Sequence, residues 1–349
     1  MDRYVALSAL ERFCLAAFAG IGADPATGKA ATRAMLHGTR FGVDSHGVRL
    51  LPHYLMALEG GRLNRNPAPR RVGGFGAVEI WDADHAQGAL GSYLGIERAV
   101  EMARQYGLGA AAIRNSSHFG PAGAYALAAA EAGFIGIAFC NSDSFVRLHD
   151  GAARFHGTNP IAVAVPVRGE DPWFLDMATS AIPYNRVQLY RSLGVELPPG
   201  TASDPQGVDT RDAGLADMLA PLGGEFGFKG AGLAGVVEIF SAVLTGMKLS
   251  FEILPMGGPD FATPRGMGAF MLALNPDAFL DRAQFDAGMR RYVQALRGSA
   301  LRAGGRVMAP GDREWNTARE RDHGGVILDP VTAKAFDDIA ERLGIPPLA

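Results

Sequence analysis

The stretch Gly42-Val-Asp-Ser-His-Gly-Val-Arg-Leu-Leu-Pro-His-Tyr54 is the most informative part of the 349-residue sequence. Asp44, Ser45, His46 and Arg49 bring a carboxylate, a hydroxyl, an imidazole and a guanidinium within six positions. The stretch lies between two helical patterns, so we expect a loop opening into a helix whose free N–H groups attract an anion. Histidine exchanges protons near neutral pH, and arginine binds carboxylates through paired hydrogen bonds. The combination indicates chemistry on a small carboxylic acid. The same residues also occur in a loop whose serine caps a helix and whose histidine lies on the surface.

The composition indicates an ordered globular protein. Charged residues make up 20% and hydrophobic residues 48% of the chain, which is typical of folded domains. A net charge of −3 gives no electrostatic reason to expect nucleic acid or an anionic membrane as partner. No apolar run reaches the ~20 residues of a membrane span, and no signal-peptide layout is visible at the start. Cys14 and Cys140 form neither a disulfide framework nor a metal spacing, so we expect a cytoplasmic protein.

Helical patterns occupy both ends of the chain, and an α/β pattern occupies the middle. Ser8-Ala-Leu-Glu11 is typical of a capping box, and Asp24-Pro25 and Asp329-Pro330 of helix starts. From Gly73 onward, short apolar runs alternate with helical patterns. A chain of this length exceeds a single typical core. The sequence therefore predicts an α/β (α+β) fold in two domains: a helical domain from residues 1–72 and 276–349, and an α/β domain from residues 73–275.

Three segments place glycine and polar residues at the ends of predicted strands. Residues 116–123 form a strand-to-helix junction whose exposed amides suit a phosphate or carboxylate. Residues 157–160 open a strand, and residues 176–180 end one before an irregular segment that runs to Arg186. Each pattern also occurs in ordinary turns and strand ends, so none of them decides function alone.

Gly230, Gly232 and Gly235 spell G-x-G-x-x-G, the fingerprint of Rossmann dinucleotide binding. The fingerprint must follow a buried strand, and the preceding residues are typical of a loop, so we reject that interpretation. We predict instead a glycine-rich entry into a buried helix, with Lys229 presented toward an anion at its start. Glu238 inside this apolar helix is more typical of a paired buried acid than of a catalyst.

The remaining histidines give no further site. His37, His53, His85, His149, His156 and His323 show none of the spacings of a metal site. We therefore expect no metal. A serine hydrolase is not indicated either, because G-x-S-x-G is absent from the sequence.

Read in order, the motifs resemble one known family. They are Asp44-Ser-His-Gly47, Ser117-His-Phe-Gly-x-Ala-Gly123, Gly157-Thr-Asn-Pro160, Asp176-Met-Ala-Thr-Ser180, Lys229-Gly-x-Gly-Leu233 and Pro310-Gly311. This succession, from about residue 3 to 345, is similar to the type 2 malate/L-lactate dehydrogenase family, which includes sulfolactate and ureidoglycolate dehydrogenases and ketimine reductases. The resemblance implies a non-Rossmann nicotinamide-binding fold with a mixed sheet. It also implies a homodimer with active sites near the subunit interface.

The resemblance assigns roles to particular residues. It implies that Ser45 and His46 are catalytic, with His118 as a second candidate for the acid/base, and that Thr158 contacts the substrate. Arg313 is a candidate for a 2′-phosphate, whereas Asp312 beside it suits a free ribose hydroxyl, so NAD and NADP both stay open. The residues that the resemblance places at the cofactor are His118, Phe119, Gly120, Pro121, Ala122, Asp176, Met177, Ala178, Lys229 and Gly230.

The sequence departs from the family at two places. Many relatives carry a carboxylate-binding arginine four residues after the catalytic histidine, where this chain has Leu50; its arginine stands one residue earlier, as Arg49. One residue turns a helix by roughly 100°, so Arg49 points elsewhere. Ketimine reductases carry an aspartate where this chain has Arg186. That second departure favours hydroxy-acid chemistry, and Arg186 becomes the preferred carboxylate ligand.

These observations predict an NAD(P)-dependent oxidoreductase that interconverts a 2-hydroxy acid and its 2-oxo acid. A protonated His46 would be the general acid for reduction, and neutral His46 the base for oxidation. The alternatives are reduction of a cyclic ketimine carboxylate, and a nucleotide-binding homologue without turnover.

Overall fold

The structure, a computed structural model, describes residues 4–348. Helices lie at both ends of this range, and a large sheet lies in the middle. The helices are α1 (Leu7–Gly20), α2 (Pro25–Arg40), α3 (Leu51–Glu59), α4 (Gly88–Tyr106), α5 (Gly123–Glu131), α6 (Tyr184–Leu193), α7 (Gly227–Glu238), α8 (Arg282–Arg297), α9 (Asp312–Gly324) and α10 (Pro330–Leu343). The strands are β1 (Tyr4–Val5), β2 (Arg70–Phe75), β3 (Val78–Asp82), β4 (Leu108–Ser116), β5 (Ile135–Cys140), β6 (Val146–Arg147), β7 (Arg154–His156), β8 (Ile161–Val165), β9 (Trp173–Met177), β10 (Ala202–Ser203), β11 (Met218–Leu219), β12 (Met267–Leu274) and β13 (Val326–Ile327).

The central sheet has seven strands in the order β2-β3-β4-β12-β5-β8-β9. Only β3 and β4 pair in parallel, and every other neighbouring pair is antiparallel. The fold is therefore the expected α/β class with a mixed sheet. The apolar runs 161–167 and 173–177 on either side of the turn residues 168–171 predict a hairpin. Strands β8 and β9 confirm it, and β9 forms one edge of the sheet.

Strand β12 comes late in the sequence but lies in the centre of the sheet. It pairs with β4 on one side, where Met267 faces Ser116, and with β5 on the other, where Ala269 faces Cys140. Because both neighbours run antiparallel to β12, the carboxyl ends of β4 and β5 lie at the same sheet end as the start of β12. The candidate site described below lies at this end.

Both chain ends contribute to one helical unit. A hydrophobic cluster combines side chains from residues 5–63 with side chains from residues 326–348, and β1 pairs with β13. Helix α8 instead packs beside the β8–β9 hairpin through Val293 and Val167, and Trp315 of α9 belongs to the central core. The division at residues 72/73 and 275/276 stays a prediction.

Helix α7 continues through a π-helical turn over Ile239–Val243. The whole helical stretch Gly224–Val243 is apolar and long enough, by length and composition alone, to cross a membrane, and 39% of its most apolar window is buried. This corrects the expectation that no apolar run approaches that length. Glu238 nevertheless ties the helix to the protein interior, as predicted for a paired acid: it accepts hydrogen bonds from the Asn159 side chain (2.8 Å) and from the Ser250 backbone N–H and hydroxyl (2.6 Å each).

Local sequence signals locate several element boundaries and miss others. The Asp24 carboxylate caps α2 at 2.8 Å from the Thr27 N–H, as predicted, and Asp329 caps α10. The capping box at Ser8 is wrong, because α1 begins one residue before it and has no side-chain cap. The segment through Arg186 is not irregular but forms the start of α6. Strand β2 was not expected, since its two adjacent glycines interrupt the alternation of a strand.

Candidate active site

Ser45, His46 and His118 come together, as the sequence predicts. The Ser45 hydroxyl lies 2.9 Å from Nδ1 of His46. The His46 ring stacks on the His118 ring with 5.5 Å between their centroids. His46 belongs to a short 3₁₀ turn before α3 rather than to an open loop, and His118 lies just beyond the end of β4. If Nδ1–H of His46 donates to Ser45, Nε2 keeps a free lone pair and can accept a proton.

Tyr54 on α3 holds His118 from the opposite side. Its hydroxyl lies 2.8 Å from Nδ1 of His118. The Gln87 side-chain amide donates to the His118 carbonyl at 3.3 Å. Burial keeps the pKa of Tyr54 above its usual value, so the phenol stays protonated. If the phenol donates to Nδ1, the remaining ring proton of His118 is on Nε2, where it is a hydrogen-bond donor.

Both histidines are neutral near pH 7. Burial lowers the pKa of His46 to about 4. Burial also lowers the pKa of His118 well below its ordinary value, and His46 and Arg265 add to the effect. Because burial disfavours the charged imidazolium, the free chain holds both rings in the neutral form, in which one ring nitrogen of each can accept a proton.

The two stretches that the resemblance places at the cofactor meet at a buried carboxylate. Oδ2 of Asp176 accepts the Gly123 N–H at 2.9 Å, at the first residue of α5. Burial raises the pKa of Asp176 to about 6. A side chain at position 123 would collide with Phe174 and Asp176, since an added Cβ would lie 2.3 Å from the Phe174 ring. The edge strand β9 is thereby fixed against residues 118–123.

Two more predicted stretches border the same edge strand. The Leu222 N–H donates to the Thr179 carbonyl, and Gly230 packs so tightly on Leu222 that an added Cβ would lie 2.0 Å from its carbonyl oxygen. At the other end, the Phe174 N–H donates to the Pro310 carbonyl at 3.2 Å. Residues 118–123, 176–180, 229–230 and 310–311 therefore surround one edge of the sheet.

Gly120 holds the backbone in a conformation that favours glycine. Its φ of +78° lies in the left-handed region, which a residue with a side chain adopts only at a cost. An added Cβ would make ordinary contacts with the Tyr54 hydroxyl at 3.7 Å and with Cβ of Ala34 at 3.9 Å. The backbone conformation, rather than a lack of space, therefore explains the glycine at this position.

Other predicted residues lie at the margins. The Thr158 carbonyl accepts the Thr179 N–H at 2.9 Å, so Thr158 borders the end of β9. Lys229 is exposed, with its Nζ 5.3 Å from the centre of the Phe226 ring. Arg313 is exposed and paired with Glu314. Asp312 is bound by Arg297.

The two candidate carboxylate ligands are not brought to the histidines. Arg49 is exposed and lies 3.9 Å from Asp329, the cap of α10. Arg186 is exposed on α6, and within residues 4–348 its guanidinium has no ion-pair partner. Arg49, in the 3₁₀ turn Val48–Leu50, therefore lies beside the start of α10, whereas the guanidinium of Arg186 is available to a ligand.

Sequence reasoning missed several groups beside His118. His53 was given no role, yet together with Arg265 it acts on the pKa of His118. Arg265 and Arg62 are each only 1% exposed, and Arg265 pairs with the buried Asp143. His53 lies within the stretch that opens the sequence analysis, so its position next to Tyr54 was the available signal. Arg62, Arg265 and Asp143 lie in loops without a motif, and no pattern marks them.

Comparisons with known proteins agree with the geometry. Residues 5–337 match the family model described as malate/L-lactate dehydrogenase. The chain is 33% identical to a malate dehydrogenase of Pyrococcus abyssi, over 87% of this chain and 85% of that protein. It is 35% identical to the (2R)-3-sulfolactate dehydrogenase (NADP(+)) of Chromohalobacter salexigens, over 92% and 93%. The crystal structure of malate dehydrogenase from Entamoeba histolytica superimposes with a TM-score of 0.93 at 26% identity, covering 99% of each chain.

The buried position of His46 predicts an unusual titration. We expect the His46 ring to titrate with a midpoint near 4, because burial opposes its protonation. NMR titration of the histidine ring protons between pH 3.5 and 8 measures this midpoint, and the lost signals of a His46→Gln variant assign it. A midpoint near the ordinary value of about 6.5 would show that water reaches the ring freely.

Proposed function

The chain belongs to the malate/L-lactate dehydrogenase family, and from that premise we propose an NAD(P)-dependent oxidoreductase that interconverts a 2-hydroxy acid and its 2-oxo acid. One observation carries the proposal: two neutral histidines stack beside the stretch that leads into α5 and the edge strand β9. Proton transfer at a substrate oxygen and binding of a dinucleotide are thereby combined at one place.

The cofactor is NAD or NADP, and the residues around β9 fit it. The free backbone groups of the edge strand β9 offer hydrogen bonds along an extended molecule. When bound, the nicotinamide supplies or accepts the hydride. We propose that binding needs no Rossmann half, because only one neighbouring strand pair of the large sheet is parallel and no strand of that sheet leads into residues 230–235. A complex with the pyrophosphate seated on residues 230–235 would contradict this.

His46 and His118 have different tasks. Nε2 of His46, freed by the contact of Nδ1 with Ser45, accepts the hydroxyl proton during oxidation. His118, whose Nδ1 accepts from Tyr54, donates Nε2–H to the same substrate oxygen and stabilises its developing negative charge. In reduction His46 returns the proton, after the entering anion has raised its pKa.

The exposed apolar face of α7 supports the homodimer that the resemblance implies. Phe228 lies on α7, Phe226 comes just before it, and Ile239 and Val243 lie in the π-helical turn that follows; more than half of each residue is exposed. A patch of this kind marks an interaction surface more often than a solvent-facing one. We propose that a second copy covers it, and that Lys229 at the start of the helix belongs to the same region.

The two buried free thiols suit a reducing compartment, so the cytoplasm stays the proposed location.

The proposed activity predicts NADH or NADPH oxidation with at least one 2-oxo acid from a panel of pyruvate, oxaloacetate and 3-sulfopyruvate. His46→Ala should lower kcat about 10²-fold or more, because positioned proton transfer contributes 10²–10⁴-fold. The Kd for the cofactor, measured by nucleotide fluorescence, should stay nearly unchanged. Near wild-type kcat in His46→Ala would transfer the role to His118. Turnover confined to cyclic ketimine carboxylates would contradict the hydroxy-acid assignment.

Arg186 is our proposed contact to an acidic group of the substrate from the solvent side. Arg186→Leu should lower kcat/KM by on the order of 10²-fold, since hydrogen bonds to charged groups are worth roughly 1.5–3 kcal/mol and more when buried. Arg49→Leu is the matched control and should have little effect, because Asp329 already occupies its guanidinium. Steady-state kinetics of both variants measure kcat/KM and so compare the two arginines. The reverse order of effects would make Arg49 the ligand.

A dimer that uses the face of α7 predicts a sedimentation mass near twice 36.8 kDa. Val243→Asp should produce monomers, because it places an unpaired charge in a dry interface. Val331→Asp is the matched control: this valine is 70% exposed on α10, compared with 61% for Val243. Monomeric wild-type protein, or equal dissociation of both variants, would refute the proposed interface.

A further inference from the structure

Arg62 and Arg265 form a buried cationic pair with unused hydrogen-bond donors. Nε of Arg265 donates to the Leu254 carbonyl at 2.9 Å and Nη2 donates to Asp143, whereas the buried Nη1 has no partner among residues 4–348. Nη1 of Arg62 donates to the carbonyls of Pro255 and Met256. Its Nε and Nη2 are buried without a partner in the same described range. Buried donors of this kind are costly unless something accepts from them.

The charges of the cluster do not balance. Asp143 is the buried carboxylate in contact with the pair, and both of its oxygens are engaged, one by Arg265 and the other by the Met256 N–H at 3.1 Å. Arg62 has an aromatic ring as its neighbour, with its guanidinium carbon 4.7 Å from the centre of the Phe261 ring. The carboxylate of Asp260, which is exposed, also acts on Arg62. Two buried guanidinium groups thus share one buried carboxylate, and their unused donors suit an anion.

The contacts of His53 place this positive charge beside the reacting histidines. Its ring lies 5.9 Å from that of Phe261, which Arg62 contacts, and 5.8 Å from that of Tyr54, whose hydroxyl lies 2.8 Å from Nδ1 of His118. Arg265 comes two residues before Met267, which faces Ser116 at the end of β4, and His118 comes two residues after Ser116. Burial lowers the pKa of both His118 and His53, and the guanidinium of Arg265 lowers each of them further.

We propose that Arg62 and Arg265 bind the carboxylate attached to the reacting carbon of the substrate. In this chain they replace the carboxylate-binding arginine that many relatives carry at the position of Leu50. This inference rests on the proposed function. A carboxylate accepts two parallel N–H donors from a guanidinium, and here Nη1 of Arg265 and the free nitrogens of Arg62 provide donors from two sides. The oxygen on the neighbouring carbon then lies toward His118. Arg186 approaches the substrate from the exposed side.

Arg62→Met is the sharpest test, because it leaves the pair of Arg265 with Asp143 intact. We expect KM for the 2-oxo acid to rise about 10- to 100-fold, as for loss of a hydrogen bond to a charged group, with the Kd for the cofactor within twofold of wild type. Arg265→Lys keeps the positive charge but loses the paired N–H donors of the guanidinium, so it should raise KM by a similar factor. Arg65→Met is the matched control, since the guanidinium of Arg65 is already satisfied by the carbonyls of Ile21, Leu58 and Glu59. It should lower Tm without changing KM.

A binding measurement separates this inference from the proposed function. Oxamate, an anionic analogue of a 2-oxo acid that is not reduced, should raise the Tm of the cofactor-loaded wild type and of Arg65→Met, but not of Arg62→Met. Absence of turnover with every 2-oxo acid would refute the proposed function, while oxamate protection lost in Arg62→Met would still support the anion site. Equal protection of all three proteins, or KM within twofold of wild type in Arg62→Met, would show that the arginines only hold the loop before β12.

Discussion

Insertion of β12 between β4 and β5 is the constraint on which both the sheet and the site depend. Strands β4 and β5 do not pair with each other, so the large sheet is continuous only when β12 lies between them. Arg265 comes just before β12 and pairs with Asp143, which comes just after β5. A contact between residues so distant in sequence costs loop-closure entropy, and the two full ladders of β12 offset that cost.

Signals that act within a few residues were predicted correctly, and arrangements that depend on distant pairing were not. The Asp24 and Asp329 caps and the β8–β9 hairpin are encoded locally, and each is confirmed. The first turn of α6 was missed because it follows a proline and has a single buried side chain. The order of the motifs identified the family, and the resemblance singled out Ser45, His46 and His118, which lie close together in the structure. Arg265 lies in a loop rich in glycine and proline, and only the position of β12 gives it a role.

The site combines neutral bases with an excess of buried positive charge. Burial lowers the pKa of both histidines, and the guanidinium of Arg265 lowers that of His118 further. In the function that we propose, a cationic substrate would be repelled, whereas an anionic substrate would accept hydrogen bonds from the two arginines and would raise the pKa of His46. Binding of the acid would then also activate the proton donor.

The edge position of β9 has a consequence for handling the protein. An uncovered strand edge is a template on which another chain can add a strand, and so a route to aggregation. Here the edge is covered only in part, by the contact of Phe174 with Pro310, and the dinucleotide that we place along it would shield the rest. Because a ligand that binds only the folded state stabilises it by mass action, protein stripped of its nucleotide should lose solubility on storage before it loses its fold.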